Sequence, residues 1–187
     1  MADFAAARLN MVESQVRTQD VTDVRIHDAM REVEREAFVP AGKAHLAYAD
    51  IEVQHAPGRW LLKPRDVAKL LQALRPMPGE RALAISAPYA AAVIQAMGGE
   101  VVTAEAGSEL PPGAFDMLVC EGSVGRAPEA WIAALAVGGR LGVVERDGPV
   151  GKACLYVRTE EGVGRRELFD SFAPVLEGFA AEHGFAF

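Results

Sequence analysis

The hydrophobic positions in the first part of the chain recur three or four residues apart, as they do on one face of a helix. Between Asp3 and Arg35 this rhythm is interrupted once, so the pattern predicts two helices. Thr22 or Asp23 can cap the second helix, because a side-chain oxygen there accepts a hydrogen bond from an amide of the first turn. Residues 38–64 contain several glycines and prolines and predict irregular structure, and residues 65–74 predict a further helix.

After Arg81 the pattern changes to short apolar runs that alternate with helical ones. Such alternation is typical of β-α-β units with a parallel, buried sheet. Two final apolar runs flank Glu160, Glu161 and Gly162, a spacing that predicts a hairpin. The predicted strands are residues 82–85, 101–104, 115–120, 140–145, 153–159 and 163–169, and the predicted helices between them are residues 89–97 and 128–135.

The composition limits the classes of protein to which the chain can belong. Its 187 residues, half of them hydrophobic, suit one buried core, so we expect a single domain with helices and a loop in residues 1–78 and the sheet in residues 79–187. The net charge of −7 disfavours a nucleic-acid ligand, and the lack of a long apolar run or a signal peptide predicts a cytoplasmic protein that does not enter a membrane. Cys120 and Cys154 predict buried, reduced thiols. No metal site is predicted, because the histidines are too far apart in sequence: His27, His45, His55 and His183.

Four sequence motifs occur in the order and with the spacing that one enzyme family shows. Residues 35–40 read R-E-A-F-V-P and residues 47–50 read A-Y-A-D. Residues 115–122 (F-D-M-L-V-C-E-G) and 135–141 (L-A-V-G-G-R-L) follow at the sheet. Together they resemble the protein-L-isoaspartate O-methyltransferase family, with its R-E-x-F-V-P, its A-Y-x-D, its fourth strand and the L-x-x-G-G-R-L that opens its fifth.

The resemblance implies a fold, a cofactor and a reaction. The fold is the class I methyltransferase fold, an α/β Rossmann-like three-layer sandwich with a mostly parallel sheet, here with an N-terminal helical extension and a C-terminal antiparallel hairpin. The cofactor is S-adenosylmethionine (SAM), whose methyl group is attacked by an isoaspartyl carboxylate. The enzyme aligns and desolvates both partners, so three functional parts should be recognisable, and each is altered in this chain.

The first altered part is the glycine-rich turn after the first sheet strand, D-V-G-x-G-x-G-Y in the family. Residues 84–89 read A-I-S-A-P-Y, without a glycine. Side chains such as the Pro88 ring therefore stand where the cofactor would lie against open backbone. Ser86 is either a residual cofactor contact or the N-cap of the following helix.

The second altered part is the adenosine site after the second sheet strand. Glu105 matches the family's ribose-binding acid, or else it is an ordinary solvated carboxylate at a strand end. Only nine residues, 106–114, connect it to the next strand, so the third strand and its helix are predicted to be absent. Such a connector reaches about 30 Å when extended and has to span only about 20 Å, so the deletion is possible but removes the wall of the adenine site.

The third altered part is the loop that reads G-Q-T-I-S-x-P in active relatives. Residues 58–64 read G-R-W-L-L-K-P, so Leu62 replaces the serine and Trp60 the threonine that would position a carboxylate. Arg59 or Lys63 could attract an anion, or both are solvated cations. The apolar residues 60–62 are interpreted as a plug of the substrate cleft or as a partner contact.

We therefore predict a degenerate family member with no catalytic residue and no cofactor, in which Glu105, Ser86 and Glu121 are vestigial cofactor-site residues. One alternative is an active methyltransferase that retains SAM. Another is a pocket for a different small ligand, where Glu105, Glu121 and Ser123 would cluster at the carboxyl ends of the strands. Glu121 itself is interpreted as a turn residue rather than a ligand.

Loss of the third strand would leave the strand between Val101 and Ala104 at the edge of the sheet. Exposed edges are usually covered, because their unpaired backbone groups invite pairing with another chain. We predict either a homodimer that pairs near this edge or a cover formed by residues 109–112, whose two prolines cannot extend a ladder.

Overall fold

A computed structural model of the protein describes residues 3–181. The N-terminal segment forms the two predicted helices, α1 (Phe4–Met11) and α2 (Val24–Glu32). α1 continues through one wider helical turn, Val12–Val16, and a 3₁₀ turn, Arg17–Gln19. Asp23 caps α2, since its carboxylate accepts a hydrogen bond of 3.0 Å from the Arg25 amide.

A small hairpin precedes the third helix, in a stretch that the sequence pattern predicts to be irregular. Strands β1 (Val53–Ala56) and β2 (Arg59–Leu61) pair antiparallel around Gly58, whose φ of +65° suits glycine. The prediction of irregular structure is wrong here, because strands of four and three residues are too short for a hydrophobic period to show. α3 (Pro64–Leu74) follows at the predicted position.

The rest of the chain builds a six-stranded sheet in the order β4-β3-β5-β6-β7-β8. The first four strands in this order are parallel, and the last two join as an antiparallel hairpin. This is the predicted Rossmann-like α/β architecture. The bounds are β3 (Arg81–Ile85), α4 (Pro88–Ala96), β4 (Glu100–Ala104), β5 (Phe115–Val124), α5 (Glu129–Ala133), β6 (Leu135–Glu145), β7 (Gly151–Arg158) and β8 (Val163–Ser171).

The central strands of the sheet are buried on both faces, which gives the molecule three layers. Alternate residues of β3 point to opposite sides: Ala82 and Ala84 join a core with helices α1 to α4, whereas Leu83 and Ile85 join a core with α5 and the C-terminal segment. α5 is shorter than predicted, because Leu135 already pairs with Phe115 as part of β6.

β4 is the edge strand, with β3 as its partner in the described part of the chain. Residues 105–114 form turns and bends rather than a strand, in agreement with the predicted loss of the third strand. Leu110 of this connector packs against the same core cluster as Val102 and Ala104 of β4. No described residue pairs its backbone with the outer edge of β4. The homodimer and the cover by residues 109–112 therefore both remain predictions.

Other expectations about the chain concern its cysteines, its histidines and membranes. Cys120 and Cys154 are buried and free. Within residues 3–181 no three side chains are grouped so that they could hold a metal ion, and His183 lies outside these residues. None of the helices described is both long and apolar enough to cross a bilayer.

Candidate functional site

A cavity of about 270 Å³ opens at the carboxyl ends of β3 and β4. This is the edge of an open α/β sheet where ligands usually bind. The backbone turns that follow the two strands form most of its wall. Its lining residues are Phe38, His55, Ala84, Ser86, Ala87, Pro88, Thr103, Ala104 and Glu105.

Ser86 lies at the sharp turn between β3 and α4, with a left-handed φ of +46°. Its amide donates to the Ala104 carbonyl at 2.8 Å, which ties the turn to the end of β4. Its hydroxyl donates to Glu105 Oε2 at 2.9 Å and accepts from the Ala106 amide at 2.9 Å. α4 begins at Pro88 after Ala87, which makes no side-chain cap, so the interpretation of Ser86 as the N-cap is wrong.

Glu105 lies directly after β4, and the structure holds its carboxylate against protein groups. Its Oε2 also accepts a hydrogen bond of 3.0 Å from Arg59 Nε, while 68% of the side chain remains exposed. Burial opposes ionisation, but the bonds from Arg59 and Ser86 outweigh it and hold the pKa of Glu105 below its ordinary value. Glu105 is thus an ionised strand-end carboxylate whose Oε2 is already engaged by two donors.

His55 and Phe38 complete the cavity wall, and neither was predicted as a site residue. His55 belongs to β1; its Nε2 is buried and has no hydrogen-bond partner in the described structure. Burial lowers the pKa of His55. Phe38 packs its ring edge-on against Tyr89 at 5.9 Å. The R-E-A-F-V-P motif contains Phe38, but no motif or spacing in the sequence indicates His55.

Glu121 is fully buried inside β5, so its interpretation as a turn residue is wrong. Its Oε2 accepts a hydrogen bond of 3.2 Å from the amide of Tyr89, in the first turn of α4. Burial raises the pKa of Glu121 to about 7, although Arg35 and the amides of Tyr89, Ala90 and Leu62 favour the ionised form. The carboxylate therefore occupies the N-terminus of α4, where helices attract anions.

Arg35 lies in the same interior and is also fully buried. Its guanidinium stacks over the ring of Tyr89 at 4.5 Å and donates to the carbonyls of Ala47, at 2.7 Å, and Leu62, at 2.5 Å. Arg35 Nη1, the Tyr89 hydroxyl and Glu121 Oε1 are buried without a hydrogen-bond partner in the part of the chain described. Glu121 thus faces a polar interior rather than the cavity.

The predicted cluster of Glu105, Glu121 and Ser123 does not form around one cavity. Glu105 lines the cavity at β3 and β4, whereas the carboxyl group of Glu121 bonds to the amide of Tyr89 at the start of α4. Ser123 is buried and donates its hydroxyl to the Ala173 carbonyl at 2.8 Å, as part of the contact between β5 and the C-terminal segment. The structure brings only Ser86 and Glu105 together.

The segment that aligns with the catalytic loop is packed rather than open. Leu61 and Leu62 are fully buried in the helix-side core, in agreement with the interpretation as a plug. Arg59 pairs with Glu105, and Lys63 lies 3.9 Å from Glu52. Neither cation is an open anion site, so that interpretation of Arg59 and Lys63 is not supported.

Comparisons with known proteins agree on one family. The model of the family "Protein-L-isoaspartate(D-aspartate) O-methyltransferase (PCMT)" matches residues 7–110. The chain is 34% identical to a protein-L-isoaspartate O-methyltransferase of Methylorubrum populi, over 94% of this chain and 98% of that protein. A relative from Methylorubrum extorquens is also 34% identical, over 94% of this chain and 91% of that protein.

Solved structures show the same fold. A Plasmodium falciparum protein described as a beta-aspartate methyltransferase, in complex with S-adenosyl-L-homocysteine, has a TM-score of 0.74 at 17% identity, covering 95% of this chain and 99% of its own. A second protein-L-isoaspartate O-methyltransferase structure has a TM-score of 0.70 at 20% identity, covering 88% of this chain and 64% of its own. With the matched family model and the 34% identical relative, the chain belongs to the protein-L-isoaspartate(D-aspartate) O-methyltransferase family.

Proposed function

We propose that this family member does not transfer methyl groups and binds SAM poorly or not at all, and that it acts as a binding or structural module in the cell. The observation that carries the proposal is the position of Glu121. Its carboxyl group accepts from the Tyr89 amide at the start of α4, so the protein's own acidic side chain occupies this helix N-terminus. A cofactor carboxylate or other anion at that end of α4 would meet an acidic side chain that already accepts from the first-turn amide.

The size and walls of the cavity support the same proposal. The cavity is small: its volume of about 270 Å³ is near the lower end of the range of about 300–1,000 Å³ that is usual for small-molecule sites. The Cβ atoms of Ser86 and Ala87 and the ring of Pro88 line the turn, where close backbone approach would need glycine. Because β4 lies at one edge of the sheet, no further strand of the described chain closes the outer side of the cavity. The residues present therefore do not fit SAM.

The altered loop supports the absence of methyl transfer independently of the cofactor. Leu62 is fully buried and carries no hydroxyl that could position an isoaspartyl carboxylate. Its carbonyl is engaged by Arg35, which holds the segment in place. Methyl transfer depends on alignment of the two reactants, so loss of the group that positions one of them lowers the rate even where both bind.

The second candidate function is that of the active relatives, SAM-dependent methylation of isoaspartyl residues. The feature that favours it is the retained pair of Ser86 and Glu105 at the carboxyl ends of β3 and β4, 2.9 Å apart, at the ribose side of the family's site. This pair would contact only the ribose. It does not replace the groups that would bind SAM at the N-terminus of α4 and around the adenine.

Calorimetric titration with SAM and with S-adenosyl-L-homocysteine separates the two candidates. We expect no saturable binding below about 1 mM, whereas a dissociation constant in the micromolar range would contradict the proposal. The matched control is the Methylorubrum populi relative, 34% identical to this chain and measured under the same conditions.

A methyl-transfer assay with radiolabelled SAM and an isoaspartyl peptide tests the reaction itself. We expect the protein to incorporate no label above the enzyme-free background, while the control relative does. Turnover by the protein, even at a low rate, would establish the second candidate and overturn the first.

A further inference from the structure

A second cavity, of about 490 Å³, lies at the carboxyl ends of β5 and β6, beside the C-terminal hairpin. It shares no lining residue with the cavity at β3 and β4. Its four basic and two acidic side chains give the lining a formal charge of +2, in a chain whose net charge is −7. The lining residues are Gly125, Arg126, Glu145, Arg146, Asp147, Val150, Lys152, Arg165 and Ala181.

Glu145 and Arg165 form the fixed floor of this cavity. The Glu145 side chain is only 7% exposed and accepts from the Ala127 amide at 2.9 Å and from the Tyr156 hydroxyl. Its Oε2 takes two bonds from Arg165, at 2.9 Å from Nε and 2.7 Å from Nη2. These two charge-assisted bonds hold the guanidinium in place, and Glu145, together with Glu167 at 3.3 Å, balances its charge.

Arg146 is held by a different set of partners. Its guanidinium donates to three backbone carbonyls: those of Gly148, at 2.9 Å, Phe172, at 2.9 Å, and Ala173, at 3.1 Å. Carbonyls orient the side chain but do not neutralise its charge. The donors used are Nε and Nη1, so the Nη2 edge of the guanidinium makes none of these bonds.

Arg126 is the most exposed of the basic side chains. It is 76% exposed, and its ion pair with Glu145 Oε1 is long, at 3.8 Å. Lys152, in contrast, is paired with Asp170. Arg126 can therefore turn toward a ligand without breaking a short contact, and Arg146 presents a fixed edge.

We propose that this cavity binds a phosphate group, through Arg126 and the Nη2 edge of Arg146, above a floor held rigid by the ion pair of Arg165 and Glu145. Guanidinium groups match the oxygen spacing of phosphate and form charge-assisted hydrogen bonds with it. The carboxyl ends of strands in an open α/β sheet are a usual place for ligands. The site is independent of SAM and of the proposed loss of methyl transfer, since none of its lining residues belongs to the altered parts.

The test is a titration of the full chain with inorganic phosphate and with glycerol phosphate, at constant ionic strength set with chloride. Binding is followed by calorimetry and by thermal stability, because a ligand that binds only the folded state raises the melting temperature. We expect saturable binding of one equivalent. Tighter binding of glycerol phosphate would assign the cavity to a phosphorylated molecule, and tighter binding of inorganic phosphate would assign it to the free ion.

Two variants make the test specific. Arg126→Gln removes an exposed cation from the cavity, and we expect it to weaken phosphate binding about tenfold, the effect of losing one charge-assisted hydrogen bond. Arg166→Gln removes another exposed cation, from β8 and outside the cavity lining, and should change the affinity less than twofold. Phosphate binding no better than that of chloride, or equal weakening in both variants, would overturn the proposal.

Discussion

Replacement of Glu121 by glutamine should make the protein more stable at alkaline pH. Glu121 is fully buried and its pKa is raised by burial to about 7 from an ordinary value of 4.5. The folded state therefore binds a proton more tightly than the unfolded state does. Glutamine keeps the shape of the side chain and the oxygen that accepts from Tyr89, but it carries no charge at any pH.

The magnitude follows from proton linkage. Between pH 4.5 and about 7 the folded protein holds more protons than the unfolded chain, so the free energy of unfolding falls as the pH rises. A raised carboxyl pKa thus contributes stability that is complete below the lower value and lost above the higher one. The difference between the two pKa values corresponds to a loss of about 3 kcal/mol of unfolding free energy between pH 4 and pH 8, which Glu121→Gln should remove.

Chemical unfolding of the parent protein and of Glu121→Gln at several pH values measures this effect. The quantity to compare is the difference in unfolding free energy between the two proteins, because other titrating groups contribute equally to both. We expect this difference to move in favour of the variant by about 3 kcal/mol between pH 4 and pH 8. Any constant cost of the amide cancels in the comparison across pH.

Glu105→Gln is the matched control, since it makes the same chemical change where the pKa is lowered. A carboxyl group whose pKa is lowered by folding stabilises the protein at pH values above its pKa in the unfolded chain. Glu105→Gln should therefore lose a little stability at neutral pH relative to acid pH. A pH-independent difference for Glu121→Gln, or a change of the same sign in both variants, would refute the reasoning.

Three further predictions concern the core, a turn and the sheet edge. Leu70→Ala should lower the unfolding free energy by about 2–5 kcal/mol in urea titrations, because Leu70 is fully buried in the helix-side core; a cost below 1 kcal/mol would contradict that packing. Gly122→Ala should cost more than about 1 kcal/mol in the same assay, since φ is +116° and a Cβ would lie 2.7 Å from Leu176 Cδ2. If β4 pairs with a second copy, light scattering should report a dimer that Thr103→Lys, at an exposed position of β4, converts to monomer, whereas a monomeric parent with β4 uncovered would exclude the homodimer.

The alternation of apolar runs determined most of the fold in advance. Strands β3 and β4 and helices α3 and α4 lie within two residues of their predicted ends, because buried strands and amphipathic helices leave strong periodic signals. Strand β5 extends four residues beyond its predicted end, to Val124. The boundary of α5 and the strand at Leu135 differ from the prediction. There the pairing of Leu135 with Phe115 decides the conformation, and this contact between distant residues leaves no local pattern.

The altered turn, the short connector and the residues Ser86 and Glu105 follow from the sequence alone, since each depends only on the order of residues. Tertiary structure alone decided what these residues contact. Glu121 resembles a turn residue in sequence, yet the packing of β5 under α4 buries it at the helix N-terminus and raises its pKa. Likewise, Arg126, Arg146 and Arg165 are far apart along the chain, and only the meeting of β5, β6 and the hairpin brings their charges to one cavity. Electrostatic environment depends on distances in space, which a linear sequence does not contain.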